Sequence, residues 1–171
     1  MADEPEGRLF CRAGVHRGVP FDRQAEPELW LCPKGATVPA HIASLPQEEH
    51  LRLKALSNTE PAGLLQVSAD VDPDYTEGSE LTYLHGVAVS EGTPVPEDLD
   101  TIDVAAGTWA VFRTAGPYPA ALQSTWAATA ADWFPSNPWR LRPGPSVVAI
   151  LDRAADFSTA TTELWLPVER A

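Results

Sequence analysis

The fold of this chain is decided by residues 107–139, which read GTWAVFRTAGPYPAALQSTWAATAADWFPSNPW. The first part surrounds Trp109 with β-branched and aromatic residues, which favour a pleated, half-buried strand. Gly116-Pro117 interrupts this strand, and Pro119 suits the first turn of a helix, where no backbone N–H is needed. Apolar residues then recur at helical spacing until Asn137-Pro138 ends the helix. The stretch therefore predicts a strand, a turn and a helix that together carry several tryptophans.

The composition limits the classes of protein that the chain can represent. It has 171 residues, of which 44% are hydrophobic, so one domain with a sizeable core is expected. The formal net charge of -12 repels phosphate groups, so the chain itself is not expected to bind nucleic acid. Cys11 and Cys32 lack the spacing of a zinc site, and no signal or membrane-spanning segment is evident. We therefore expect a cytoplasmic protein without a metal, as a monomer or homodimer.

Nucleotide and cofactor fingerprints are missing from the sequence. It contains neither a P-loop, nor G-x-G-x-x-G, nor the G-x-S-x-G of many hydrolases. No cofactor is expected.

The first half of the chain shows a weaker version of the same order of elements. Residues 1–33 have no clear period and are interpreted as an N-terminal extension. A strand around Val38 is expected next, followed by a helix in which Ser44 and Gln47 form a capping box. The helix is expected to bury Leu51, Ala55 and Leu56 and to leave His50 at the surface. Strands over residues 64–71 and 81–89 complete the half.

The second half repeats this order between residues 101 and 168, with a strand, a helix and two further strands. Residues 79–84 resemble residues 161–166, so that Glu80 matches Glu163. We predict an α+β fold of two β-α-β-β repeats related by a pseudo-two-fold, at about 34–90 and 100–169 within a domain of residues 34–171. An antiparallel sheet would carry the helices on one face, with a groove between the repeats.

Three segments are similar to one known family. They are TWAVFRTAGPY (residues 108–118), TWAATAADWFPSNPW (125–139) and TELWLPVE (162–169). They resemble the GyrI-like small-molecule-binding domain, also called the AraC-type effector-binding domain, over about residues 36–168. The resemblance implies an aromatic groove between two repeats. It also implies a role in drug sensing, in sequestration or in modulating gyrase, and some stand-alone relatives are hydrolases of strained natural products. Because residues 1–33 do not suit a DNA-binding module, this chain resembles a stand-alone member.

The sequence departs from the family pattern at one important position. Many members carry a buried Glu in a segment like G-P-x-F-E-x-Y, whereas this chain has Val148 at the Glu position and Ile150 at the Tyr position. In the family this Glu meets cationic ligands or assists catalysis. Its replacement favours a neutral polycyclic or polyketide-like ligand, and it weakens the case for cation sensing.

Aromatic residues are the main candidates for the walls of a binding groove. Aromatic side chains also dominate ordinary cores, so simple core packing is the alternative for each of them. The leading hypothesis is a hydrophobic small-molecule ligand bound by Trp109, Trp126, Trp133, Trp139, Tyr118, Tyr83 and Val148.

An enzyme in the same groove is the alternative hypothesis. Tyr83 and His85 alternate on one predicted strand and therefore face the same side, and imidazole suits proton transfer at neutral pH. With Glu163 they would be the catalytic residues of a hydrolase or cyclase. A hydrogen-bonded or solvent-facing Tyr–His pair explains the same pattern. A third hypothesis is a protein-interaction role for the acidic surface.

Overall fold

The computed structural model describes residues 2–4, 7–16, 46–69, 81–90, 92–94, 96–104 and 107–171. Within this part, nine strands form one sheet in which every pairing is antiparallel. The strands are β1 (Ala2–Glu4), β2 (Gly7–His16), β3 (Leu64–Ala69), β4 (Leu81–Ser90), β5 (Asp100–Val104), β6 (Gly107–Pro117), β7 (Trp139–Leu141), β8 (Ser146–Arg153) and β9 (Thr159–Arg170). The helices are α1 (Gln47–Leu56) and α2 (Ala120–Ala128), and α2 continues through a π-helical turn (Thr129–Trp133) into α3 (Phe134–Ser136).

The sheet is built from two similar units. Its strand order is β1-β6-β9-β8-β3-β4-β2-β5, and β7 also pairs with β9. The first unit is β2-α1-β3-β4 and the second is β6-α2-β8-β9, and the two meet where β3 pairs with β8. The predicted α+β fold of two β-α-β-β units is thereby confirmed.

Each unit also pairs with an edge strand that, in the chain order, comes just before the other unit. β1 precedes the first unit in the chain but pairs with β6, whereas β5 precedes the second unit but pairs with β2. These two exchanged strands join the units at both ends of the sheet, in addition to the β3–β8 pairing at its centre.

The N-terminal part of the first unit differs from the sequence-based expectation. Residues 7–16 form its first strand and pair along their whole length with β4, although no element was expected there. The strand predicted around Val38 lies outside the described residues, as does Ser44. The helix begins at Gln47 and follows Pro46, so Gln47 is its first residue and not the third residue of a capping box. The helix thus starts at the residue predicted for it, but Pro46 and not Ser44 precedes its first residue.

The helices cover one face of the sheet. α1 packs on β3 and β4, whereas α2 packs on β6 and β9 and shares an apolar cluster with Val148 of β8, so the boundary between the helices lies near β8. Beneath α1, Leu53 is fully buried against Val87 and Val89, while Leu51 is 61% exposed. The expected burial of Leu51 and Ala55 is therefore wrong, because the helix turns Leu53 towards the sheet.

The opposite face of the sheet carries a second apolar core. Side chains alternate between the faces along a strand, so neighbours of the helix-facing residues point the other way. This core contains buried residues from five strands: Leu65, Val67, Ala69, Leu84, Ala88, Trp109, Val147, Ala149 and Trp165.

Candidate ligand-binding groove

A row of five side chains crosses the helix-covered face of the sheet. Cross-strand pairing places His85 on β4 opposite Gln66 on β3, and Gln66 opposite Val148 on β8. The row continues through Leu164 on β9 to Phe112 on β6. Because adjacent strands lie about 4.8 Å apart, the step from Gln66 to Phe112 spans about 14 Å. The row thus runs from beneath α1, across the boundary between the helices, to beneath α2.

The end of the row beneath α1 is polar. His85 is only 1% exposed, and its Nε2 lies 3.2 Å from Nδ1 of His50 on the helix. The two imidazole rings meet edge to face, with their centroids 5.2 Å apart. His50 is half-buried and not a fully exposed surface residue, so α1 contributes a polar group to this end of the row.

A hydrogen bond crosses the junction between the two units. Tyr118 lies in the turn between β6 and α2, and its backbone N–H donates to the carbonyl oxygen of Ser158. The Gln66 amide nitrogen lies 3.4 Å from the Tyr118 hydroxyl, to which it donates. Both side chains are half-buried. The second unit therefore extends an aromatic ring over the edge of the first.

The other end of the row is apolar and aromatic. Val148 is 3% exposed and packs with Leu164 and Leu122, while Trp126 is half-buried against the same cluster. The π-helical turn that follows α2 is of a type often found at functional sites. It begins where the Thr129 hydroxyl donates to the Trp126 carbonyl oxygen.

Three aromatic rings form a cluster at this apolar end. Phe112 and Trp133 pack edge to face at 5.2 Å, and Trp133 and Phe134 do so at 5.0 Å. Val148, for which the sequence resemblance predicted the place of a Glu, is a buried apolar side chain in the middle of the row.

Two of the predicted wall residues lie away from this row. Trp109 belongs to the core on the opposite face, where its ring lies 6.3 Å from that of Trp165 and 5.2 Å from the guanidinium carbon of Arg142. Trp139 lies in β7 and pairs with Arg170 at the end of β9. Arg170 is six residues from the row, which corresponds to about 20 Å along a strand. The structure brings together Trp126, Trp133, Tyr118 and Val148.

The three predicted catalytic residues do not share one site. His85 faces α1, whereas Glu163 lies on the opposite face, where it accepts a hydrogen bond of 3.2 Å from the indole N–H of Trp165. Arg113 also approaches Glu163, at 3.7 Å. Tyr83 lies on β4, two residues before His85, and its backbone pairs with Ser68. The sheet itself separates the imidazole from the carboxylate.

Sequence reasoning missed two polar residues at the polar end of the site, Gln66 in the row and His50 on α1. His50 was expected at the surface, and Gln66 was not singled out. Gln66 alternates with buried Leu65 and Val67, which places an amide on the other face of a central strand. A polar side chain on a strand whose neighbouring residues are buried is the signal that could have identified Gln66, since most buried positions are apolar.

The outer side of α1 carries a network of exposed charges. The Arg52 guanidinium donates two hydrogen bonds of 2.7 Å to Asp98, and these raise the pKa of Arg52 above its ordinary value. Glu49 adds an ion pair of 3.3 Å to the same guanidinium. This network ties α1 to the segment before β5.

Two absences hold for the part of the chain that the structure describes. None of its helices combines the length and the apolar composition required to cross a bilayer. No three His, Cys, Asp or Glu side chains among the described residues lie close enough together to hold a metal ion.

Comparisons with known proteins agree with this architecture. The profile of the GyrI-like small molecule binding domain matches residues 13–169. The structure of SAV2435 bound to tetraphenylphosphonium superimposes with a TM-score of 0.66 and 19% identity, covering 98% of this chain and 92% of that one. The EcmrR C-terminal domain gives a TM-score of 0.60 and 18% identity, covering 99% of this chain and 96% of that one.

A longer form of EcmrR is known in a complex with DNA. This chain matches it with a TM-score of 0.60 and 18% identity, covering 99% of this chain but only 56% of that one. Among curated proteins, none has a sequence that matches this chain. The fold and the profile together define a small-molecule binding domain. The chain belongs to the GyrI-like family.

Proposed function

We propose that this protein binds a bulky, uncharged, polycyclic aromatic molecule in the gap between α1 and α2, for sensing or sequestration in the cytoplasm. The observation that carries the proposal is Val148, which is 3% exposed at the centre of the row and lies in the same apolar cluster as Trp126 of α2. Half-buried Trp126 and Phe112, which pack against the cluster that contains Val148, offer apolar surface to flat hydrocarbon rings, and ligand pockets are mostly apolar with few polar groups.

The charges around the row favour an uncharged ligand. None of its five side chains is acidic, and burying a cation without a counter-charge carries a large desolvation cost. SAV2435 has been seen with tetraphenylphosphonium, which is a hydrophobic cation. The central Val148 supports a different preference in this chain.

The proposed wall is smaller than the one expected from the sequence. It keeps Trp126, Trp133, Tyr118 and Val148, and it leaves out Trp109 and Trp139 because they lie away from the row. The role of Tyr83 as a wall residue stays a prediction. The ligand would lie against both units at once, since Tyr118 and Gln66 meet across their junction.

A matched series of pyrene derivatives tests the proposal. Energy transfer from tryptophan to the pyrene ring reports binding of 1-methylpyrene and of its cationic counterpart, 1-pyrenemethylammonium. We expect 1-methylpyrene to bind more tightly, and we expect Trp126→Ala to weaken its binding about tenfold because a stacking surface is lost. Trp109→Phe, on the opposite face, serves as the control and leaves the affinity unchanged.

Two results would contradict the proposed binding. One is a cation that binds as tightly as the neutral compound, and the other is full affinity in a folded Trp126→Ala protein.

A second candidate function is a hydrolase or cyclase that acts on a strained or polycyclic natural product. The contact between half-buried His50 and buried His85 favours it, because imidazoles suit proton transfer near neutral pH. Mass spectrometry of protein and compound over hours distinguishes the two functions. A binder leaves the compound mass unchanged, whereas an enzyme yields a hydrated or rearranged product at a rate that falls at least about tenfold in His85→Ala.

A further inference from the structure

The row has a polar end and an apolar end, and the boundary between them coincides with the junction of the two units. On the first unit, the row consists of His85 and Gln66, and His50 of α1 lies against His85. On the second unit it consists of Val148, Leu164 and Phe112. A ligand that spans the row therefore meets hydrogen-bonding groups at one end and hydrocarbon at the other.

We propose that the polar end recognises an oxygen substituent, so that the ligand is a polycyclic phenol or quinone oriented with its oxygen towards α1. This inference rests on the proposed function, since it assigns the ligand class and the orientation for the same groove. His50, Gln66 and Tyr118 are the residues that determine this specificity.

The hydrogen bond between Gln66 and Tyr118 is long enough to be exchanged for a better one. Its length is 3.4 Å, compared with about 2.9–3.0 Å for the commonest N–H···O bonds in proteins. A ligand oxygen inserted beside Gln66 can form a shorter bond with the same amide. A ligand without such an oxygen would separate Gln66 from Tyr118 and replace nothing, which leaves a half-buried amide unsatisfied.

The chemistry of the polar end suits hydroxyl and carbonyl groups. An amide both donates and accepts, a neutral imidazole has one donor and one acceptor nitrogen, and a tyrosine hydroxyl does both. A phenol needs an acceptor and a donor, whereas a quinone carbonyl needs only a donor. Sites built to hydrogen-bond a ligand group discriminate strongly against analogues that lack it.

Binding of 1-hydroxypyrene and 1-methylpyrene to the whole chain tests the inference, because the two compounds are similar in size and differ in hydrogen bonding. We expect 1-hydroxypyrene to bind at least about fivefold more tightly, which corresponds to one net hydrogen bond. In Gln66→Leu and in His50→Phe this preference falls to less than about twofold, while 1-methylpyrene still binds. Gln47→Leu, at the exposed start of α1, is the control and keeps the full preference.

The outcomes separate this inference from the proposed function. Equal binding of the two compounds to the unaltered protein overturns the inference and leaves the proposed function standing. A preference that persists in both folded variants also overturns the inference. If neither 1-hydroxypyrene nor 1-methylpyrene binds, the proposed function and the inference are both overturned. Thermal unfolding of each variant establishes that it is folded, and His50→Phe provides the test if Gln66→Leu is not.

Discussion

Leu164 illustrates how one side chain supports the groove from below. It is fully buried on β9, between Val148 on β8 and Phe112 on β6, and it packs beneath α2. Leu164→Ala is expected to lower the free energy of unfolding by about 2–5 kcal/mol, because the deleted carbon atoms leave a cavity. Urea denaturation measures the change. Leu51→Ala, at a position that is 61% exposed, should change the free energy by no more than about 0.5 kcal/mol. Equal effects of the two substitutions would show that Leu164 is not a core residue.

The pKa of Asp156 depends mainly on hydrogen bonds from Ser158. The Ser158 hydroxyl donates to its carboxylate at 2.7 Å and the Ser158 backbone N–H does so at 3.0 Å, and these bonds lower the pKa of Asp156. A lowered pKa stabilises the fold at pH values above the ordinary aspartate pKa, and this stabilisation is lost as the pH falls through the lowered value.

NMR titration of the Asp156 carboxyl carbon checks this expectation. The pKa should lie below the ordinary value of about 3.9 and should rise in Ser158→Ala, since the hydroxyl bond is the largest cause of the shift. Ser124→Ala, at an exposed position on α2, is the control that leaves the pKa of Asp156 in place. An unchanged pKa in Ser158→Ala would be inconsistent with the hydroxyl bond.

The entry into β3 depends on a glycine that touches the other unit. Gly63 has φ of +88°, and a Cβ atom there would lie 2.6 Å from the carbonyl oxygen of Ile150 on β8. Gly63→Ala should therefore lower the free energy of unfolding by more than about 2 kcal/mol, because backbone strain and a backbone contact both act.

Gly92 is the matched control for this substitution. It has φ of +80°, but a Cβ atom there would meet nothing within 4 Å. Gly92→Ala should lower the free energy of unfolding by only about 1 kcal/mol, because only the cost of the positive φ acts there. Chemical denaturation compares the two variants. Equal losses would mean that the contact between Gly63 and β8 contributes nothing.

The two units are expected to unfold together, because β3 and β8 pair at the centre of the sheet and β1 and β5 are exchanged between the units. A ligand held against both units should then stabilise the whole protein. At one hundred times its dissociation constant, 1-methylpyrene should raise the free energy of unfolding by about 2.7 kcal/mol. Thermal unfolding should show a single transition that moves to higher temperature, and the shift should shrink in Trp126→Ala. Two transitions, only one of which responds to the ligand, would show that the units unfold separately.

Local sequence patterns predicted much of the second unit. The β-branched and aromatic residues 108–112 lie in β6 as predicted, although β6 continues through Gly116 and Pro117, where an interruption was predicted. Pro119 precedes a helix, and residues 162–168 form part of the closing strand. The two β-α-β-β units also followed from the order of the elements and a weak internal match. These features could be predicted because strand and helix periods depend on residues close together in the chain.

Other features could not be found from local patterns. β2 has two glycines and only loose alternation, and its conformation depends on pairing with β4 and β5, which lie far away in the chain. The buried residue of α1 is Leu53 and not Leu51, which depends on the angle at which the helix meets the sheet. The π-helical turn contains two of the residues used to predict a regular helical stripe, Ala130 and Trp133, and there Thr129 is buried while Ala130 is exposed.

By itself, the sequence determined the family resemblance and the two repeats, and it predicted that Val148 stands where many members carry a Glu, because each of these depends on residue identity and order. Only the tertiary structure decided which aromatic residues share a face. Residues one position apart on a strand point to opposite faces of the sheet. Which face a given side chain shares with residues of other strands depends on the register of pairing across the whole sheet. For that reason Trp109 and Glu163 lie on the face away from the helices. Sequence reasoning did not identify Gln66, which lies in the row that we propose as the binding site, or His50, which contacts the polar end of that row.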